Sequence, residues 1–317
     1  MIKKISVAMA TYNGAKFIEE QLDSILNQTL PVDEIVICDD ISSDNTAEVI
    51  TKYISDKKLQ NKIHFTVNDK NLGYASNFVK ALRKTTGDYI FFCDQDDIWI
   101  SDRVEKMVKV LENNTEICLL GSEFEPFKCD KDAPDPHKWE LKKFRNDDSI
   151  EKLLFNSENI FIGCQGCTMV MTRDFINRVI VFWYEGWAHD EFVWKMALSE
   201  ESLYFYHRKT IRRRLHSNNV TLHKEHDKGK RLKYLSDLEK SHKQTIVFID
   251  HLYRKNKISQ QEYERKTTLL NKHIRATQMR EDLIGRKKIF NSIKLLGFLD
   301  CYHKKRAVPV ELLMVLK

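Results

Sequence analysis

Asp94 and Asp96, one residue apart in the run Cys93-Asp94-Gln95-Asp96-Asp97, are the residues whose type and spacing say most about chemistry. Two carboxylates so placed suit Mg2+ or Mn2+, because hard divalent ions prefer oxygen ligands and bridge readily to phosphates. Such an ion neutralises charge that develops on a departing diphosphate. Taken alone, a D-x-D is a weak signal that fits better a solvated acidic turn capping the helix after Ser101. Other polar residues also carry two readings. Asp39 and Asp40 offer acceptors to a nucleobase imide or a ribose hydroxyl, or they cap the next helix with Ser42 and Ser43. Tyr12 stacks on a base or is a half-buried loop aromatic. Asn71, Gly73 and Asn77 shape a loop or touch a ligand. Asp190 stands among Trp187, Phe192 and Trp194, and a carboxylate beside apolar rings can have its proton affinity raised, which suits a general base. Its plainer role is a helix N-cap. His216 follows Arg212-Arg213-Arg214: it ligates metal, touches phosphate, or is an ordinary surface histidine. The arginines bind a diphosphate or are solvated.

Placement within elements decides for the D-x-D. Ile5 to Ala10 reads as a buried strand, and Ala15 to Asn27 repeats apolar residues at helical spacing. Glu34 to Cys38 is a second strand, followed by a helix from Asp44 to Ser55 with Ser42, Ser43 and Asp44 as N-cap candidates. Ile63 to Val67 is a third strand, Tyr74 to Lys84 a third helix, and Asp88 to Cys93 a fourth strand. This β-α-β-α-β-α-β order predicts an α/β fold with a parallel, doubly wound sheet, whose ligands sit beyond the carboxyl ends of the strands. Thr11-Tyr12-Asn13-Gly14, Asp39-Asp40 and Asp94-Gln95-Asp96-Asp97 follow the first, second and fourth strands. All three should gather on one edge, a coincidence that scattered surface acids would not produce. Residues Pro126 to Asp148 read as an irregular excursion, a lid or acceptor loop.

The 317 residues carry a net charge of +6 that hides a split. Residues 1–223 hold 29 Lys+Arg against 35 Asp+Glu, whereas residues 224–317 hold 23 against 11. The basic part is therefore expected to face something anionic. From about residue 225 the pattern is helical, with capping-box spacing at Ser259-Gln-Gln-Glu262, a helix ending near Gly285, and an amphipathic basic helix from Ile289 to Leu299. These helices either dock on anionic lipid or form a solvated bundle packed on the first part or serving in a homodimer. Nucleic acid is excluded as a partner, since the first part is acidic and no nucleic-acid motif occurs. No secretory signal and no run near the ~18 apolar residues of a spanning helix is present, which predicts a cytoplasmic chain, at most peripheral to the inner membrane face. Seven scattered cysteines read as free buried thiols, and the Cys164-x-x-Cys167 pair lacks further zinc ligands.

Ser6 to Gly14, Asp39-Asp40-x-Ser-x-Asp44-x-Thr46, Asn71-x-Gly73 and Asp94-Gln-Asp-Asp-Ile-Trp99 together resemble family 2 glycosyltransferases of the GT-A fold. The Asp94–Trp99 run, Trp187-Ala-His-Asp190 and Arg214-Leu-His216-Ser-Asn-Asn219-Val look most like bacterial rhamnosyltransferase-type members. The resemblance implies a GT-A catalytic domain over residues 1–223, followed by a basic helical region over 224–317. It also implies inverting, metal-dependent transfer of a sugar, rhamnose among the candidates, from a dTDP- or UDP-sugar. The acceptor would be a glycan or lipid-linked hydroxyl of a surface polysaccharide or glycoconjugate. Residue by residue, Thr11, Tyr12 and Asp40 match nucleoside-holding positions, with Asn13, Asn71, Gly73, Gln95 and Arg214 beside them on the donor. Asp94 and Asp96 match the D-x-D, with Mn2+ or Mg2+ held by these two and His216, and Asp190 matches the catalytic base. Two departures stand out: Arg214-Leu-His216-Ser where arginine-x-histidine-glycine is usual, and Cys164-Gln-Gly-Cys167 where plainer residues are usual. The alternative to an enzyme is a nucleotide-sugar-binding scaffold without catalysis. A sugar nucleotidylyltransferase fits less well, because that class wants a Gly-rich basic loop after the first strand.

Overall fold

The computed structural model describes residues 3–141, 143–217, 227–303 and 307–316. The described residues fall into two compact units: those within 1–153, 163–197 and 202–223, and those within 154–162, 198–201 and 224–317. The expected junction at 223/224 and the Asn218-Asn219-Val220 end of the histidine motif lie outside the described residues.

The first unit opens with β1 (Ile5–Thr11), α1 (Ile18–Leu26), β2 (Glu34–Asp39), α2 (Thr46–Asp56), β3 (Ile63–Val67), α3 (Tyr74–Lys84) and β4 (Tyr89–Cys93). Strands β3, β2, β1 and β4 lie side by side and parallel. β2 and β4 are buried along their whole length, as continuous apolar runs in a parallel sheet covered on both faces should be. The remaining elements are β5 (Ile98–Trp99), α4 (Arg103–Asn113), β6 (Leu119–Lys128), α5 (Lys138–Leu141), β7 (Ile150–Lys152), β8 (Val170–Thr172), α6 (Arg173–Val179), α7 (His189–Ser199) and β9 (Leu203–Leu215). Antiparallel β8 joins β4 to β6, and the long β9 runs parallel to β6 while holding β5 and β7. The sheet is thus mostly parallel but turns mixed beyond β4.

Several expected boundaries are corrected. The first helix starts at Ile18 rather than Ala15, after a turn in which the Phe17 and Ile18 amides donate to the Gly14 carbonyl. Ser42 and Ser43 do not cap α2. Ser42 Oγ accepts from the Asn13 amide and donates to Asp39, while Asp44 Oδ1 accepts the Thr46 amide at 3.0 Å. Neither does the acidic run form a solvated turn, since Asp97 is buried. The excursion from Pro126 begins as strand, because β6 continues to Lys128.

The second unit contains α8 (Lys228–Arg254), α9 (Gln260–Arg286), α10 (Asn291–Leu295) and α11 (Ala307–Leu316). Ser259 and Glu262 form the reciprocal capping box at the start of α9. The single helix expected from Ile289 to Leu299 is instead two pieces: α10 passes into a 3-10 turn over Leu296–Cys301, broken at Phe298 (φ −124°). Leu283, Leu295, Cys301, Val308 and Val315 close a core between α9, α10 and α11. Glu311 of α11, fully buried, accepts from Arg231 Nε at 2.8 Å and Arg280 Nη2 at 2.8 Å. No helix among the described residues is long and apolar enough to cross a membrane.

Candidate active site

The polar clusters that end β1, β2 and β4 are joined by hydrogen bonds. Thr11 Oγ1 donates to Asp39 Oδ2 at 2.8 Å. Gln95 closes a two-bond clasp on Tyr12, accepting its amide at 2.8 Å and donating to its carbonyl at 2.9 Å. Asn13, held at φ 52°, accepts the Ser43 amide at 2.7 Å. Tyr12 itself is half exposed, with its ring unburied at the sheet edge. Asp40 is buried and organises the loop before α3. Its Oδ1 accepts from Leu72 N (2.7 Å) and Asn68 Nδ2 (2.8 Å), and its Oδ2 from Gly73 N (2.8 Å). Asn71 Nδ2 donates to the Asp40 carbonyl at 3.0 Å. Gly73 sits at φ 77°, a backbone state that suits glycine at this helix entry.

The acidic run divides into two groups. Asp96 Oδ2 meets His216 Nε2 at 2.8 Å, and the Asp96 carbonyl accepts Arg214 Nε at 2.8 Å. The imidazole packs on Phe17, whose ring also lies under the Arg214 guanidinium at 4.6 Å. Arg214 reaches Glu20 as well. Deeper, one oxygen each of Asp94 and Asp97 and the Cys167 Sγ lie within 4.8 Å of one another. Burial, then the Asp97 and Asp96 charges, push Asp94 up to about 8; burial and Asp96 push Asp97 up to about 6. Asp97 Oδ1 accepts the Arg214 amide at 2.9 Å. Neighbouring residues of a strand face opposite ways. Accordingly Arg213 leaves β9 on the other face from Arg214 and pairs with Glu140 at 2.7 Å.

A third part links these groups to the expected base. In the turn from Cys164 to Thr168, Cys167 faces Asp94 and Asp97, and its carbonyl accepts from Arg103, which is fully buried. One residue earlier, a Cβ on Gly166 would stand 2.8 Å from His189 Nε2 and 3.2 Å from Asp190 Cβ. His189 is stacked on Phe78 at 3.9 Å and set edge-on to Phe92 at 4.8 Å. Its ring nitrogens make no hydrogen bond among the described residues, and burial lowers its pKa. Asp190, in the first turn of α7, accepts the Glu191 amide at 2.8 Å. Both cysteines of the turn are free and buried, as expected, whereas Cys129 is exposed and Cys118 half-buried, against the expectation of burial for all seven.

Of the residues singled out in the sequence, Asp96, His216 and Arg214 therefore meet directly, as do Tyr12 with Gln95 and Asp40 with Asn71 and Gly73. Asp94 faces Asp97 and Cys167, and Asp190 stands apart, reached through Gly166. Asp97, Cys167, Gly166, His189 and Arg103 were not assigned to the site. Asp97 stood in the acidic run, Gly166 and Cys167 in the Cys164-Gln-Gly-Cys167 departure and His189 beside Asp190, whereas Arg103 left no signal.

Residues 6–179 match the model of glycosyl transferase family 2. That is more than half of the chain, so the chain belongs to this family. It is 37% identical over 117 residues to the dTDP-rhamnosyl transferase RfbG of Shigella flexneri, covering 36% of this chain and 40% of that one. The chain spans less than half the length of the first curated relatives it matches. Among solved structures, S. aureus TarS 1–349 in complex with UDP-GlcNAc matches with TM-score 0.60 at 14% identity, over 98% of this chain and 90% of that one. The mannosyltransferase PcManGT from Pyrobaculum calidifontis, in complex with GDP-Man and Mn2+, matches with TM-score 0.54 at 16% identity, over 100% and 86%. At such identities the likeness is one of fold: GT-A, followed by a helical C-terminal region.

Proposed function

We propose that the chain transfers a sugar from a nucleoside diphosphate donor to an acceptor hydroxyl, with inversion at the anomeric carbon. The observation that carries this is the meeting of Asp96 Oδ2 and His216 Nε2 at 2.8 Å beside the half-buried Asp94 and the buried Asp97, at the carboxyl end of β4. An oxygen and a nitrogen donor converging next to two further carboxylates fit Mn2+ or Mg2+, with Asp96 and His216 as ligands and Asp94 supporting them. Such an ion, when bound, offsets the charge of the leaving diphosphate. Thr11, Tyr12, Asn13, Asp40, Asn71, Gly73 and Gln95 border the place where the nucleoside would lie. Tyr12 offers an exposed ring for the base, and Asp40 sets the loop. Arg214 holds the Asp96 backbone and so orients the acidic run. Asp190 takes the proton of the acceptor hydroxyl as its oxygen bonds to the anomeric carbon. The bond from that carbon to the diphosphate oxygen breaks on the opposite face, leaving a glycoside and a nucleoside diphosphate.

The likeness to RfbG, a dTDP-rhamnosyl transferase, supports a dTDP-sugar, rhamnose first, and the TarS complex with UDP-GlcNAc keeps UDP-sugars in view. The acceptor is read as a glycan or lipid-linked hydroxyl of a surface polysaccharide, presented at the cytoplasmic face of the membrane. The test is nucleoside diphosphate release from a panel of dTDP- and UDP-sugars, with Mn2+ or Mg2+ and with EDTA. Release should need the ion. Asp190→Ala should lose roughly 10²–10⁴-fold in kcat while still binding donor, and Asp96→Ala should lose ion-dependent donor binding as well. Full turnover by either variant would overturn the assignment. Donor binding without turnover by the unaltered chain would point to the scaffold reading.

A further inference from the structure

Helices α10 and α11 carry a surface that sugar transfer does not use. Along a short helix such as α10, residues three apart lie on the same side. Phe290, Ile293 and Leu296 share that face and are 82%, 66% and 60% exposed. Asn291, Leu295 and Cys301 are buried on the other side. On α11, Leu313 is 58% exposed. An open hollow of about 400 Å3, lined by Ile293, Leu296, Pro309 and Leu312 among others, joins the two apolar faces. Single exposed apolar residues are ordinary, but a contiguous set marks an interaction surface.

The rim is basic. Arg286, Lys287, Lys288 and Lys294 are all exposed around Phe290. Asp282 faces two of them, at 3.2 Å from Arg286 and 2.8 Å from Lys288. Of the other acids, Asp300 pairs with Lys272 at 2.6 Å, Glu311 is buried on its arginines, and the half-buried Glu281 lies near Lys243 of α8. Lys287 projects from the left-handed C-cap of α9 (φ 53°). Lysines with aromatic and aliphatic side chains between them suit the boundary between lipid headgroups and acyl chains. A second copy of the chain suits this face less well, since it would bring one basic rim against another.

We propose that this face docks on an anionic lipid bilayer, with Phe290, Ile293, Leu296 and Leu313 entering the headgroup boundary and the lysines lying on lipid phosphates. The inference concerns where the chain works, and vesicle binding tests it whether or not sugar is transferred.

Full-length protein is sedimented with phosphatidylcholine vesicles, with and without phosphatidylglycerol. Binding should require phosphatidylglycerol and weaken as salt rises. Phe290→Ser with Ile293→Ser should weaken it at least tenfold. Lys287→Gln and Lys294→Gln should each weaken it by about fivefold. These side chains are exposed, so circular dichroism and melting should match the unaltered protein. No binding to phosphatidylglycerol vesicles, equal binding to both compositions, or unchanged binding by the Ser variant would overturn the proposal. So would a lipid-free dimer, seen by sedimentation equilibrium, that the Ser variant dissolves without changing vesicle binding.

Discussion

A methyl group at Gly14 would come within 2.2 Å of Gln95 Oε1, the atom that accepts the Tyr12 amide. Gly14→Ala must therefore push aside the clasp that ties the end of β1 to the acidic run. We expect it to cost on the order of 1 kcal/mol in urea unfolding, the usual worth of the hydrogen bonds it displaces. Once Gln95 is truncated to Ala the same methyl has room, so the double variant should be clearly less destabilised than the sum of the singles. Additive losses would show that the clasp is not what Gly14 protects. At this scale the sequence was informative where chemistry is contiguous. Asp94 and Asp96 stand out through their spacing together with their place just after the fourth strand. Gly166, Cys167, His189 and Arg103 do not, because what makes them neighbours of the acids and of Asp190 is a turn arriving from elsewhere in the chain. A glycine or a thiol bears no local mark of that.

Among the elements, β1, β2 and the turn before β4 are held together by Glu34. It accepts from Ser6 Oγ at 2.5 Å and the Thr86 amide at 2.8 Å, and its side chain is nearly buried. Burial alone would raise its pKa. The Ser6 and Thr86 hydrogen bonds outweigh that and hold it below the ordinary 4.5. Above that value the carboxylate is charged in both folded and unfolded chains, and its bonds contribute in full. As pH falls from 4.5 through the folded pKa, the unfolded chain takes up the proton first and the contribution is lost. Glu34→Gln should accordingly make the urea midpoint less pH-dependent between about pH 5 and pH 3. A slope equal to that of the unaltered protein would contradict this. The first four strands were legible because apolar runs between turn residues leave little choice. Strand β9 was not, since Leu203–Leu215 contains Lys209 and four arginines. Arg213 and Arg214 are buried there only because Glu140 and Glu20 come to meet them. The break after α10 was likewise hidden, because helical spacing of apolar residues does not distinguish one helix from two short pieces.

Across the whole molecule, charge is unevenly shared, with an acidic excess up to residue 223 and 23 basic against 11 acidic residues beyond it. That asymmetry is compositional and so was readable at once, but the outward turn of Phe290 and Ile293 was not. Like charges crowded on α8 to α11 repel one another in a way that salt screens, over ~10 Å at 0.1 M. Raising salt from ~0.05 to ~0.5 M should slow amide deuterium exchange in α8 to α11 more than in β1 to β4. Equal slowing in both would mean that the repulsion is already relieved by pairs such as Arg280 with Glu311.

The alternation of β9 has one more consequence, for how this chain can change over time. Arg213 serves Glu140 on one face, while Arg214 serves Glu20 and the Asp96 carbonyl on the other. One codon gained or lost upstream within β9 would hand each guanidinium its neighbour's wiring and swing the His216 imidazole away from Asp96. Such a strand can drift in spelling but not in length, so tolerated insertions should collect in the turns at its ends.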